Sequence, residues 1–131
     1  MRVVLDTNVF ISAVLGGKLG IIIGTWRAGK FTLIVSDAVA SEYLDVIHRP
    51  KFGFTKLEIK SITDYLLKDA EFVTPLEAVS VITADPSDNK FLEAALAGNA
   101  IYVVSGDNHL LQIKSFREIT ILTAHEFIKQ L

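Results

Sequence analysis

The chain opens with MRVVLDTNVF (residues 1–10), and the segment RVVLD at positions 2–6 decides its fold class. Three consecutive apolar residues precede Asp6, without the polar alternation of a strand that has one face in water. Similar short, β-branched runs are FTLIVS (31–36), AIYVVS (100–105), ITILT (119–123) and the weaker EFVTP (71–75). Such runs predict strands buried on both faces, which is typical of a parallel sheet.

Helical patterns separate these runs. We predict helices over residues 7–15, 19–28, 37–48, 55–70, 87–98, 107–113 and 124–130. Because strands and helices alternate, the sequence predicts an α/β fold with helices on both faces of the sheet. A length of 131 residues suits one domain, and we place it over residues 1–131.

Composition excludes several classes of protein. The chain has no cysteine, so disulfides, thiolate metal sites and cysteine nucleophiles are absent, and any metal must be bound through oxygen or histidine. The apolar runs are shorter than the ~20 residues that span a bilayer, and an acid at position 6 argues against a signal peptide, so we expect a cytoplasmic protein that contacts no membrane. A net charge of −2 argues against nucleic-acid binding through one broad basic surface.

Four acidic residues stand where a ligand site is expected, beyond the carboxyl ends of parallel strands. Asp6 directly follows the first strand, and Asp107 follows AIYVVS after one glycine. Asp88 opens the predicted helix at 87–98. Glu42 lies on the flank of the apolar stripe of the third helix, whereas Asp45 lies further round and is expected to be solvated.

Each acid also has a plainer interpretation. Asp88 and Asp107 could simply cap helices, and Glu42 alone could be a surface residue. Asp6 is harder to dismiss, because an acid at the end of an apolar strand is partly desolvated and needs a partner. Converging carboxylates repel one another unless a cation neutralises them, so the four together predict a divalent metal site, with Mg²⁺ or Mn²⁺ as the ions that suit carboxylate oxygens.

Four segments carry a family resemblance: VVLDTNVFIS, SEYLDV, DPSDNKFLEAALAG and VVSGDNHLL. In this order and spacing they resemble the PIN-domain nucleases, in particular the VapC-like bacterial and archaeal proteins described as toxins of toxin-antitoxin systems. The resemblance runs nearly end to end. It implies a three-layer α/β/α domain with a parallel sheet of about five strands, frequent homodimers, a small antitoxin protein as partner, and RNA as the substrate.

The resemblance also assigns residues. Asp6, Glu42, Asp88 and Asp107 become metal-binding, catalytic acids, in positions that the strand-end argument also selects. One or two ions would activate a water for attack on the phosphodiester. Asp6 is then the central ligand, Asp88 and Asp107 flank it, and Glu42 is a ligand or a base that orients water.

Several residues other than the four acids also receive roles. The resemblance gives polar roles to Asn8 and Ser105, while Asp85 is interpreted as a helix cap. Arg49, Lys51 and Lys90 are candidates for holding the RNA backbone, with ordinary solvated side chains as the alternative. We interpret His109 as a partly exposed structural residue and Trp26 as a core or dimer contact.

Two other functions stay open. Asp6 could be the nucleophile of an aspartyl-phosphate enzyme or switch. Haloacid-dehalogenase-type phosphatases place a second aspartate two residues after the first, however, and this chain has Asn8 there. Alternatively, the fold could be a non-catalytic scaffold that binds RNA or an antitoxin, although all four acids are present.

Overall fold

The sheet of the computed structural model, which describes all residues from 1 to 131, has six strands. Its spatial order is β3-β2-β1-β4-β6-β5. The strands are β1 (Arg2–Leu5), β2 (Thr32–Val35), β3 (Glu71–Phe72), β4 (Tyr102–Val104), β5 (Ser115–Phe116) and β6 (Ile119–Leu122). The first four and β6 pair in parallel, so the predicted parallel sheet of about five strands is confirmed.

Helices flank the sheet and form the outer layers of an α/β/α arrangement. They are α1 (Thr7–Leu15), α2 (Gly20–Arg27), α3 (Asp37–Ile47), α4 (Lys56–Asp69), α5 (Asn89–Ala97), α6 (Asn108–Leu111) and α7 (Ala124–Ile128). All seven lie within the predicted helical ranges. A short 3₁₀ turn, Pro86–Asp88, begins one residue before the fifth predicted range and replaces its first two residues of α-helix, because proline at the first position suits a turn that lacks one amide donor.

The sixth strand was not predicted. β5 has two residues and pairs antiparallel with β6 at the edge of the sheet. Its sequence, SF, is too short to show any hydrophobic periodicity, and it forms because a tight turn at Arg117, with φ of 56°, folds it onto β6. β3 is also shorter than its predicted range of 71–75.

Local sequence signals set several helix ends. Thr123 and Glu126 form a capping box at the start of α7, and Thr55 and Glu58 form another at α4. Asn99 follows the end of α5 with a φ of 52°, a left-handed conformation that asparagine tolerates better than most residues.

The core is one cluster of 32 buried hydrophobic residues between the sheet and the helices. On the helix side, the Tyr43 ring stacks on Phe10 with centroids 4.1 Å apart, which joins α3 to α1. Trp26 is buried and meets the Tyr65 ring edge-on, so the interpretation of Trp26 as a core residue is confirmed. This packing fixes the helices that carry the acidic residues.

The stretch from 73 to 85 has no helix or strand and is held to α5 by side chains. Asn89 is buried, and its side-chain oxygen accepts from the Ile82 amide at 2.9 Å. Its side-chain nitrogen donates to the Ile82 carbonyl at 3.0 Å. Glu93 accepts a further bond from the Val79 amide at 2.8 Å. These bonds fix the approach of the chain to Asp88.

No single helix of the chain has the length and apolarity to cross a membrane; only the pair Thr7–Leu15 and Gly17–Arg27 meets those criteria jointly, with a 99° bend between its members.

Candidate active site

The candidate site lies where the order of strands reverses. β1 and β4 are parallel neighbours, and the chain leaves β1 toward β2 on one side and enters β4 on the other. At such a switch point the loops diverge and leave a crevice beyond the carboxyl ends of the strands. A cavity of about 200 Å³ occupies this position. It is lined by Asp6, Thr7, Asn8, Glu42, Val46, Arg49, Asp88, Phe91, Asp107 and Leu110.

Asp6 is the most enclosed of the four acids, with 5% of its surface exposed. One carboxylate oxygen accepts from the Val9 amide at 2.8 Å and caps α1, and the other accepts from the Ser105 hydroxyl. Burial raises the pKa of Asp6 above its ordinary value, while the bonds from Ser105, Val9 and the Gly106 backbone oppose that rise and nearby Asp107 adds to it. The helix-capping bond of Asp6 was not anticipated from the sequence.

Ser105 connects two of the acids. It is fully buried, its hydroxyl donates to Asp6, and its oxygen accepts from the Asp107 amide at 2.9 Å. Asp107 also caps α6 through a 2.7 Å bond from the His109 amide. The capping and cavity interpretations of Asp107 are therefore compatible, because one carboxylate oxygen caps while the side chain lines the cavity.

Asp88 is half-buried and makes no side-chain cap bond, so the capping interpretation fails for this residue. Burial is the main cause that raises the pKa of Asp88 to about 6, and the carboxylates of Asp85, Asp107 and Glu42 contribute the rest of that rise. Asp85 begins the 3₁₀ turn as expected of a cap, but its carboxylate accepts from the Ser87 hydroxyl rather than from a backbone amide.

Glu42 reaches the cavity from α3. It is half-buried, whereas Asp45 on the same helix is exposed, as the helical periodicity predicted. Lys90 donates to one oxygen of Glu42 at 2.7 Å, and the Thr7 hydroxyl donates to the other. No local sequence pattern connects these three residues. Only the position of Thr7 directly after Asp6 could have suggested its presence in the site.

The remaining candidate residues differ in whether they line the acidic cavity. Asn8 and Arg49 are exposed residues that line the cavity, and Arg49 forms no ion pair with a carboxylate. Lys51 and His109 are exposed but lie outside the cavity lining. Of the basic residues considered for RNA contact, Arg49 is thus the one that faces the acidic cluster without being neutralised by it.

A divalent cation fits this site by the chemistry of its donors. The cavity is lined by four carboxylates, and oxygen is the donor that Mg²⁺ and Mn²⁺ prefer. Burial and, after it, repulsion by neighbouring carboxylates raise the pKa of Asp88, and a bound cation would relieve that repulsion. No three acidic or histidine side chains surround one point closely enough to form a finished ligand set. Adjustment of side chains would therefore accompany binding.

The largest cavity, about 590 Å³, lies elsewhere, between α1, α2 and α4. Its walls are mostly apolar and include Phe10, Val14, Ile23, Trp26 and Tyr65. Because no cluster of acids converges there, the smaller acidic cavity is the candidate active site despite its size.

Comparison with known proteins identifies the family. A sequence model of the PIN domain matches residues 2–109, which include all four acids. No curated protein sequence matches the chain. Among solved structures, a chain from VapBC-1 of nontypeable Haemophilus influenzae superposes with a TM-score of 0.62 and 15% identity over 95% of this chain and 99% of that one.

A chain from VapBC2 of Rickettsia felis, solved bound to a DNA fragment from the promoter of that pair, superposes with a TM-score of 0.57 and 17% identity. The match covers 92% of this chain and 97% of that chain. At these identities the two structures establish a shared fold.

Proposed function

Since this chain belongs to the PIN domain family, we propose that it is an endoribonuclease that depends on a divalent cation and serves as the toxin of a toxin-antitoxin pair. One observation carries the proposal. Four carboxylates from four separate stretches of chain, Asp6, Glu42, Asp88 and Asp107, line one small cavity at the carboxyl ends of the central strands. Acids that served only as helix caps would not need to share a cavity.

In this proposal Asp6 is the central ligand for one or two Mg²⁺ or Mn²⁺ ions, and Asp88 and Asp107 flank it. The cation supplies positive charge that neutralises the phosphate and acidifies the attacking water. Ser105 and the Val9 amide hold the Asp6 carboxylate in one orientation.

The cavity mouth supplies the contacts for the substrate. The Arg49 guanidinium and the Asn8 amide are exposed there and can bind phosphate and sugar oxygens of RNA. A small cavity with an exposed mouth suits a single phosphodiester of a flexible strand. This arrangement also accounts for a nucleic-acid enzyme with a net charge of −2, because the bound cations and a few local side chains supply the attraction.

The alternative of an aspartyl-phosphate enzyme is disfavoured by the surroundings of Asp6. Haloacid-dehalogenase-type phosphatases carry a second aspartate two residues after the nucleophile, whereas the residue two positions after Asp6 is Asn8, which has no carboxylate. The alternative of a non-catalytic scaffold gives no reason to keep four mutually repelling acids in one cavity.

Fold similarity, rather than the geometry of the site, supports the assignment as a toxin. The fold is shared with chains of two VapBC complexes. We extend to this chain a small antitoxin partner, a homodimeric state and a cytoplasmic location. Co-expression with the product of an adjacent gene, followed by co-purification and suppression of RNA cleavage, tests the partner, and light scattering tests the dimer.

The nuclease activity is tested with purified protein on single-stranded and structured RNA, with Mg²⁺, with Mn²⁺ and with EDTA. Cleavage should require the cation, and Asp6→Asn should lower the rate by about 100-fold or more because it removes the central ligand of the cation that activates the water. Asp45→Asn, on an exposed position of α3, is the matched control and should cleave normally. Equal cleavage by wild type and Asp6→Asn would identify a contaminant and reject the proposal.

A further inference from the structure

Glu42 differs from the other three acids in the charge of its partners. Lys90 and Thr7 each occupy one of its oxygens, so the carboxylate is bound on both sides by the protein. Asp6 is also bound on both sides, but its donors are an uncharged amide and an uncharged hydroxyl. Glu42 alone is paired with a full positive charge.

The Lys90–Glu42 pair is also the most enclosed ion pair in the chain. Its side chains are 20% and 29% exposed, compared with 37% and 46% for Arg2–Glu71, the next in order. Solvent screens such a pair less than it screens surface pairs, so its geometry is better defined and its charges are more fully balanced.

The pair connects the helices that carry the site. Glu42 comes from α3, Lys90 follows Asp88 by two residues at the start of α5, and Thr7 is the first residue of α1, directly after Asp6. A dication that approached the Glu42 oxygens would meet the Lys90 ammonium, which is 2.7 Å from one of them. In a half-buried site that repulsion is only weakly screened.

From this geometry we propose that Lys90 is a positioning residue that, with Thr7, holds Glu42 outside the set of direct metal ligands. Asp6, Asp88 and Asp107 then form that set, and Glu42 contributes through its fixed position at the cavity wall. The inference rests on the proposed function. Of the two roles that the sequence left open for Glu42, it excludes that of a direct ligand and retains that of a water-orienting base.

Mn²⁺ binding to the full-length protein, measured by titration calorimetry in the absence of RNA, tests the inference. Asp107→Asn removes a ligand and should weaken binding by at least the roughly tenfold that loss of a ligand's hydrogen-bond partner costs. Glu42→Gln should stay within about threefold of wild type, because Glu42 bonds Lys90 and Thr7 and none of the three ligand side chains. Lys90→Met should bind Mn²⁺ more tightly, because it removes the opposing charge. Equal losses for Glu42→Gln and Asp107→Asn, or weaker binding by Lys90→Met, would overturn the inference.

A second measurement examines the pair without any metal. In EDTA, urea unfolding of Lys90→Met, Glu42→Gln and the double variant should show effects that are clearly less than additive, because either substitution breaks the same contact. Lys90→Arg should retain most of the coupling. The exposed pair Lys60–Asp64, with side chains 71% and 60% exposed, is the matched control and should show nearly additive effects.

The two measurements separate failure of the inference from failure of the proposed function. Wild-type protein that binds no Mn²⁺ would reject the metal-dependent function, and with it the division of ligands. Additive effects in EDTA would instead reject the role of Lys90, even if the protein binds metal and cleaves RNA. Coupling in EDTA together with the predicted order of Mn²⁺ affinities supports both.

Discussion

The Ser105 hydroxyl donates a hydrogen bond to the Asp6 carboxylate, which joins residues 99 positions apart in the sequence. The same oxygen accepts from the Asp107 amide, so one small side chain orients two acids of the site. Both contacts lie at the ends of adjacent strands, β1 and β4. The orientation of Asp6 therefore depends on the pairing of β1 with β4, and Asp107 is held by a local bond just beyond the end of β4.

Replacement of Ser105 by alanine should loosen this arrangement. We expect a loss of about 1–2 kcal/mol in the free energy of unfolding, because a buried carboxylate loses a donor and an amide loses its acceptor. RNA cleavage should fall as well, since Asp6 is no longer held in one orientation. Ser105→Thr keeps the hydroxyl and should retain more of both properties. Urea denaturation and initial cleavage rates measure the two effects, and an unchanged Ser105→Ala protein would contradict the bridging role.

Asp88 should make the metal-free protein less stable as the pH rises. The pKa of this carboxyl is about 6 in the fold, against an ordinary value of 3.8, so between these values the folded state holds a proton that the unfolded chain has released. Stability therefore falls from about pH 4 to about pH 6 and then levels off.

Asp88→Asn lacks this contribution. In EDTA at pH 7.5 it should be more stable than wild type, on the order of 1 kcal/mol after allowance for solvent screening of a half-exposed group, and near pH 4 the difference should vanish. The pKa of Asp6 is also raised, so the free energy of unfolding of both proteins carries the same further decrease with rising pH. Thermal unfolding across this pH range measures the difference. If the stability of the wild type relative to Asp88→Asn increased as the pH rose, the prediction would be contradicted.

Arg49 should affect RNA binding more than the chemical step. It lines the cavity without a carboxylate partner, so Arg49→Gln should raise KM for RNA by about tenfold or more through loss of a charge-assisted contact, with little change in kcat. Lys51 is a nearby cation outside the cavity lining, and Lys51→Gln is the matched control. A larger effect of Lys51→Gln than of Arg49→Gln would place the RNA path elsewhere.

Two glycines should respond to alanine in opposite directions. A Cβ at Gly98 would come within 2.5 Å of the fully buried Ile34 side chain, so Gly98→Ala should lower stability by about 1–3 kcal/mol. Gly24 lies within α2 with no atom within 4 Å of an added Cβ, and Gly24→Ala should raise stability by up to about 1 kcal/mol through helix propensity. Chemical denaturation of both variants tests the pair.

The sequence indicated the central sheet and the positions of the acids because both depend on local patterns. Unbroken apolar runs mark strands buried on two faces, and the residue that follows such a strand has its place fixed by the sheet. Asp6 and Asp107 could be assigned to one edge on that basis alone. Asp45 and Glu42 could be told apart because a helix has a known angle per residue, and the structure has Glu42 half-buried and Asp45 exposed.

Contacts between helices cannot be predicted from such local patterns. Lys90 was considered for RNA binding, yet it pairs with Glu42, 48 residues away, because α3 and α5 pack together. The Thr7 contact with Glu42 likewise depends on how α1 lies against α3. β5 was missed because its pairing follows from a turn and a neighbouring strand rather than from its own two residues.

The two outer strands of the sheet, β3 and β5, are only two residues long. An exposed edge is a template on which another chain can add a strand, and a template of two residues offers too few unpaired amides and carbonyls to hold one. The Arg2–Glu71 ion pair adds charge beside β3. The central strands can thus be largely apolar without a risk of fibril growth from the sheet edge, and self-association of this protein is left to its helical surfaces.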